Sequence, residues 1–370
     1  MSSFTTSVFM GSPQHYFHIE KGKQDMKALV LEAVQQLALR DVPDAQPGAL
    51  GAVLKVEANG VCRSDWHVWV GDVNRGYPII MGHEMTGVIE EVAPGVTGFK
   101  KGDRVIVPFS GGEGNCPYCQ EGRPNLCDAP IVPGRTYPGG YAEYVSITLA
   151  DRNLVALPDS VSFAEGAALG CRFMTSFYGL VYRAKIQPGE WVVVYGCGGI
   201  GLSAINIAAA LGCRVIGVDI NPANLELARL MGAEAVIDSR TSNAVEAVKQ
   251  LTGSGAHVSV DALGITETCV NGIMSLRKGG RHLQVGITTK KEAGYIKLPV
   301  DIIVTRALEV LGTLGMPAHQ FGAMMPMVLQ NRLNPGKMIN REISLSEVQS
   351  IFESMTTSTN AGTFVVTKFA

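Results

Sequence analysis

The sequence predicts the α/β class, with a mostly-β region ahead of a doubly wound parallel sheet. Three observations carry this. Short apolar runs broken by Gly, Pro and Asp fill the chain to about residue 170, as in AVLKVEANG, TGVIEEVAPG, DRVIVPF and YAEYVSI; such runs read as strands and turns. After Ala164 helical patterns alternate with apolar runs: WVVVYG, LSAINIAAALG, RVIGVDI, NLELARLMGA. That pace means βαβ units around a parallel sheet. Finally, 370 residues with 46% hydrophobic and 17% charged can bury a sizeable core, and the length suggests two domains or one large barrel.

Along the chain, residues 1–25 are polar with scattered aromatics and read as a leader, flexible or the product of an upstream start. They lack the basic and apolar regions of a signal peptide. Met26 opens MKALVLEA, a strand-like run where the folded part begins. The alternating series continues through NAVEAVKQLTG, HVSVDALG, CVNGIMSLRKGG and RHLQVG. The tail offers a helical HQFGAMMPMVLQNR, then ISLSEVQSIFESM, and ends in a strand-like TFVVTKF.

Charge excludes several partners. Lys+Arg 31 against Asp+Glu 33 gives a net charge of -2, so no basic field exists to hold nucleic acid or an anionic membrane. No uninterrupted apolar run of about 18 residues suggests a spanning helix. Eight cysteines are too few for a disulfide scaffold. Several stand near His, Glu or each other at ligand-like spacings, which points to metal, a reducing compartment and a cytoplasmic protein.

The run WVVVYGCGGIGLSAINIAAALG holds Gly196, Gly198 and Gly201 in G-x-G-x-x-G spacing, with Gly199 added. It follows a strand and opens a helix, the setting in which the pattern binds a dinucleotide pyrophosphate. Asp219 ends the next strand, 18 residues after Gly201. A carboxylate there accepts bonds from both ribose hydroxyls and repels a 2′-phosphate, favouring NAD over NADP. The duller reading is a glycine-rich turn, with Asp219 capping the helix NPANLELARL.

Two clusters have the composition of metal sites. EGNCPYCQEGRPNLC carries Cys116, Cys119 and Cys127 as C-x2-C-x7-C, with Glu113 three residues earlier. Three thiols and a carboxylate suit a closed tetrahedral zinc; the competing reading is a metal-free loop. A zinc-ribbon nucleic-acid binder would need a basic patch. The second set is dispersed: Cys62, then His83 with Glu84, then Cys171. Cysteine, histidine and cysteine with an open fourth position suit catalytic zinc. Their spacing alone does not bring them together, and each taken singly reads as a core residue.

The order GVCRSD, GHE, a cysteine-rich lobe, GGYAEYV, GC-x3-T and G-x-GG-x-G resembles the zinc-containing alcohol dehydrogenases of the medium-chain dehydrogenase/reductase superfamily, over roughly residues 26–370. The resemblance implies a GroES-like domain over 26–170 with 316–370, and an inserted Rossmann domain over 171–315. It implies two zincs: a catalytic one on Cys62, His83 and Cys171, with Glu84 able to visit it, and a structural one on the lobe. Asp65 is the expected partner of His83. Ser64 would bond the substrate oxygen and begin proton removal, which His67 would relay to solvent. Arg63 would meet the pyrophosphate, Thr175 and Ile200 would border the nicotinamide, and Trp69 and Phe109 would wall the substrate. Trp66, Trp69 and Phe109 could equally be core, Cys197 is the variable residue of the glycine loop, and Cys213 and Cys269 read as core thiols. Two departures stand out: Glu113 occupies the place of a first lobe cysteine, and Asn224 that of a ribose-side lysine. The expected activity is hydride transfer between a small alcohol or carbonyl compound and NAD by a homodimer or homotetramer. A polyol or amino-alcohol dehydrogenase is the rival enzyme. A non-catalytic protein of the same fold would not need Ser64, His67 and all three ligands.

Overall fold

The computed structural model describes residues 25–357 and 361–369. Apart from Asp25, the expected leader, with His15 and His18, lies outside them. Strands β1 (Asp25–Ala33) and β2 (Gln36–Pro43) form an antiparallel hairpin, and β3 (Ala52–Val61) is the axis of the first domain. β4 (Ile79–Ile80) pairs with β1. β5 (Met85–Val92) pairs antiparallel with β3, and β6 (Arg104–Val107) with β5. β7 (Gly111–Gly112) and β8 (Pro130–Ile131) close the base of the lobe. β9 (Tyr144–Ile147) lies on the first half of β3, and β10 (Val155–Ala156) on β6.

Packing covers both faces of β3, whose residues enter three separate cores, which explains why AVLKVEANGV shows no clean alternation: eight of its ten residues are buried. Each fully buried Leu or Val there contributes roughly 1.5–3 kcal/mol. Two register shifts against β5 bend the ribbon. Gly87 permits the pairing, since a Cβ there would lie 1.9 Å from the Lys55 carbonyl oxygen; a side chain at Gly87 would split β3 from β5.

A helix begins at Phe163, closed by a reciprocal cap between Ser162 and Glu165. It continues through a wide π-helical turn over Leu169–Phe173, a geometry frequent at functional sites. The second domain then unfolds as read: β11 (Trp191–Tyr195), β12 (Arg214–Asp219), β13 (Ala235–Asp238), β14 (Ala256–Asp261), β15 (Leu276–Gln284) and β16 (Glu309–Gly312). All pair in parallel, in the order β13-β12-β11-β14-β15-β16. This doubly wound order reverses beside β11, and the crevice at the strands' carboxyl ends is where such sheets bind ligands.

The tail helix Phe321–Leu329 lies within HQFGAMMPMVLQNR and tolerates Pro326 in its interior. Met316, Phe321, Met324 and Leu333 share a core with Phe177, Leu202 and Ile205. The chain then returns to the first sheet: β17 (Ile339–Ser344) runs parallel to β18 (Thr363–Lys368), and β18 pairs with the end of β3. That last pairing, Phe364 opposite Val61 and Val365 opposite Gly60, buttresses the segment leading to Cys62.

Candidate active site

Cys62 leaves the end of β3 and precedes the short helix Arg63–Trp69. The helical period divides this helix's side chains. Asp65, Val68 and Trp69 are buried, while Ser64 and His67, one turn apart, remain partly accessible. The ligand atoms of Cys62, His83, Glu84 and Cys171 all lie within 4.8 Å of one another, and all four residues are buried. A tetrahedral zinc with Zn–S near 2.3 Å sets ligand atoms about 3.8 Å apart, so the donor set fits. His83 Nδ1 lies 3.0 Å from Asp65 Oδ1; donating its proton there leaves Nε2 to face the cluster. Tyr141 donates its hydroxyl to Asp65 Oδ2 at 3.3 Å. Ser64 Oγ sits at the mouth, 3.1 Å from His83 Nε2 and 3.2 Å from Cys62 Sγ.

The electrostatics agree with a cation site. The hydrogen bond from Cys171, with help from His83 and Arg172, draws Cys62 well below its ordinary range despite burial. Cys171 is raised by that bond and by burial. Burial opposes a charge on His83, but the Asp65 and Cys62 charges outweigh it and raise its pKa. Glu84 is pushed up to about 8, first by burial, with Arg172 opposing. Its Oε2 pairs with Arg172, whereas Oε1 has no partner among the described residues.

His67 Nδ1 lies 2.9 Å from Asp72 Oδ2 at the edge of the site. Phe109 stands beside the metal set, its ring 5.9 Å from that of His83 at 69°. Trp69, expected as a second pocket wall, is placed elsewhere. It is 3% exposed and packs 5.6 Å from Phe352 in the core beneath β1. The helical period that turns Ser64 outward turns Trp69 inward. Arg63 stacks over Trp66 at 3.8 Å and donates to the Met355 carbonyl at 2.7 Å, so its guanidinium is fastened to the helix Val348–Thr357. Trp66 is half-buried and bonds Thr356.

The lobe cluster is local. Glu113 Oε1 accepts from the Cys116 N–H at 2.8 Å and Oε2 from the Asn115 N–H at 2.9 Å. Cys116 Sγ and Cys127 Sγ are 3.7 Å apart, and Glu113 Oε1 is 3.9 Å from Cys127 Sγ. The four ligand atoms again fall within 4.8 Å. Cys119 is pushed up to about 12, chiefly by burial, and its sulfur would meet a Cβ at Gly112 at 2.9 Å. Three sulfurs and an oriented carboxylate suit a closed zinc site.

In the dinucleotide loop Gly196 takes φ 89°, and a Cβ on Gly201 would lie 1.8 Å from the Gly196 carbonyl oxygen. Gly198 precedes the helix Gly199–Ala210. Asp219 Oδ2 accepts from the Cys197 N–H at 2.6 Å, and Oδ1 from the Asn221 N–H at 2.8 Å. The cap of the following helix is Asn221, whose side chain accepts from Ala223, which removes the duller role for Asp219. Asn224 Nδ2 lies 3.4 Å from Asp219 Oδ2. Thr175 donates to the Cys171 carbonyl at 2.7 Å, and Ser176 to that of Ile200 at 3.0 Å, which ties the helix carrying Cys171 to the loop. Cys197, Cys213 and Cys269 are buried thiols away from both clusters. Sequence reasoning missed Arg172, Asp72 and Tyr141. Arg172 left a signal, a cation inside the apolar run ALGCRFMTSF, and Tyr141 stands within the GGYAEYV motif; Asp72 left none.

Comparison with known proteins agrees with this geometry. Residues 48–159 match the alcohol dehydrogenase GroES-like domain, and residues 199–330 the zinc-binding dehydrogenase family. An alcohol dehydrogenase of Geobacillus stearothermophilus is 36% identical over 78% of this chain and 85% of its own length. An NAD-dependent alcohol dehydrogenase of Sulfurisphaera tokodaii is 33% identical over 89% and 96%. The solved structure of alcohol dehydrogenase TADH from Thermus sp. ATN1 superposes with TM-score 0.86 at 27% identity, covering 92% of this chain and 99% of that one. With two family models spanning most of the chain and relatives above 30% identity along nearly all of it, the protein belongs to the zinc-type alcohol dehydrogenases of the medium-chain dehydrogenase/reductase superfamily.

Proposed function

We propose that the protein is an NAD-dependent zinc alcohol dehydrogenase acting on small alcohols, or on aldehydes and ketones in reverse. The observation that carries this is the meeting of a sulfur–nitrogen metal set, the partly accessible Ser64 hydroxyl and a dinucleotide loop at one crevice. Zinc held by Cys62, His83 and Cys171 supplies Lewis acidity to the substrate oxygen, and bound NAD supplies the hydride acceptor. Ser64 Oγ, beside Cys62 and His83, takes the proton of the substrate hydroxyl as it gives up its own. His67 is held through Nδ1 on Asp72, which leaves Nε2 to accept that proton and pass it to water. Asp65 keeps His83 Nε2 unprotonated toward the metal. Asp219 receives the adenosine ribose, and Thr175 and Ile200 border the nicotinamide. Phe109 gives the substrate side an apolar wall, which favours simple alcohols over polyols. Glu113, Cys116, Cys119 and Cys127 hold a second, structural zinc.

Self-association into a dimer or tetramer is supported by the open edge of β16. Val310 within it, Leu314 just after it, and Val300 and Val304 in the preceding helix Val300–Thr305 are exposed; exposed apolar side chains and an unpaired edge suit an interface. No helix among the described residues is long and apolar enough to cross a membrane. Two clusters of free thiols suit a cytoplasmic enzyme. NADH absorbance with primary, secondary and aromatic alcohols, before and after chelation, tests the reading. Zinc-loaded protein that binds NAD and turns over no alcohol would sink it.

A further inference from the structure

Arg172 follows Cys171 in the π-helical turn and is 6% exposed. Its Nη2 pairs with Glu84, next to the metal ligands, and Nη1 lies 3.4 Å from the Val61 carbonyl. Nε has no partner among the described residues. A buried guanidinium donor left unbonded is costly enough to call for an acceptor. The side chain runs directly beneath the dinucleotide loop. A Cβ on Gly199 would fall 2.4 Å from Arg172 Cδ, 3.2 Å from Nη1 and 3.3 Å from Nε. Gly199 opens the helix Gly199–Ala210, and the first-turn N–H groups of a helix suit an anion. At the other end, a Cβ on Gly60 would fall 2.1 Å from Glu84 Oε2. Two glycines are thus cleared, one on each side of a single ion pair. Arg63, the other arginine near the cofactor crevice, is fastened to Met355.

We propose that Arg172 is a positioning residue joining the two halves of the active site: Nε donates to a pyrophosphate oxygen of the dinucleotide while Nη2 holds the Glu84 carboxylate back from the metal. Filling the cofactor site immobilises Arg172, and the fixed ion pair keeps Glu84 from displacing a zinc ligand. Cofactor binding therefore slows zinc release, although no cofactor atom need touch the metal. This rests on the dehydrogenase reading for the identity of both ligands.

The test uses ADP-ribose, which carries the pyrophosphate and lacks the nicotinamide that would cover the zinc. In the full-length zinc-loaded protein, ADP-ribose affinity is measured by calorimetry and zinc release by a chromogenic chelator. The phase lost in Cys62→Ser identifies zinc from this site. The variants are Arg172→Lys and the doubly neutral pair Arg172→Met with Glu84→Gln, which leaves no charge unpaired in the core. Saturating ADP-ribose should slow zinc release severalfold in the wild type. In the double variant ADP-ribose should bind about ten- to a hundredfold more weakly, the loss of one hydrogen bond to a charged group, and at saturation should leave zinc release unchanged. Arg172→Lys, with a point charge in place of the fork, should restore part of the affinity and less of the coupling. Wild-type affinity in the double variant, or equal slowing of zinc release in both proteins, overturns the proposal. Wild-type protein that binds neither NADH nor ADP-ribose would instead overturn the dehydrogenase reading.

Discussion

The two metal clusters invite comparison because each includes a glutamate, and the fold treats the two glutamates in opposite ways. Glu84 is buried and bonded to the Arg172 guanidinium, which opposes the cost of burying its carboxyl group. Glu113 has no cationic side chain paired with it among the described residues; two backbone N–H groups and the Cys127 thiol orient its carboxylate without cancelling its charge. The first cluster draws on β3, on the segment before β5 and on the π-helical turn, and lies wholly inside the protein. The second lies within fifteen consecutive residues of a loop and is mostly half-buried. A site meant to exchange a ligand needs a rigid surround and one withheld donor. A site meant to stay closed needs four donors and little else.

The largest effect expected is from Cys62→Ser. The buried cluster should lose its zinc, and turnover should fall at least about a thousandfold, the scale of several kcal/mol of Lewis-acid stabilisation. Elemental analysis should show one zinc remaining. If both zincs stay, the division of the clusters is wrong. His67→Ala probes the same site without touching a ligand. Turnover near neutral pH should drop about a hundredfold or less, since water reaches a partly exposed relay, with zinc content still two. An unchanged pH–rate profile would remove His67 from the proton path.

Glu113→Ala tests the closed site. Its zinc should become about 10–100-fold easier to chelate, at least the loss caused by removing a supporting group from a ligand, with a lower melting temperature. Initial turnover of the fresh protein should persist, because the buried cluster is separate. Equal resistance to chelator in wild type and variant would exclude Glu113 from the ligand set. The smallest effect is expected outside both clusters. Asp219→Gly should narrow the preference for NAD over NADP by about tenfold, the worth of about 1.4 kcal/mol of repulsion and lost ribose bonding. Zinc content should be unchanged, so steady-state kinetics with the two cofactors also checks that cofactor and metal sites are separable at this end.

Local chemistry was legible in the sequence wherever the physical constraint acts between near neighbours in the chain. The glycine loop, the lobe cysteines and the βαβ alternation depend on spacings of a few residues, and the structure realises each as written. The position of Asp219 at the end of the strand after the loop was legible for the same reason, while its role toward the ribose belongs to the proposed function. The gathering of Cys62, His83 and Cys171 was not readable from spacing; it came through resemblance, because only β3, β5 and the π-helical turn bring them together. Trp69 was misplaced because a seven-residue helix presents two faces, and which face meets solvent depends on Phe352, nearly three hundred residues away. Arg172 stood in plain view, yet its role depended on a carboxylate 88 positions earlier and on a glycine 27 positions later. Composition, periodicity and short spacings thus determined the fold class, the cofactor loop and the lobe site, because those interactions are local. The open metal site, its withheld glutamate and the arginine between metal and cofactor were decided by tertiary structure, because a buried charge is tolerated only where the whole fold supplies its partner.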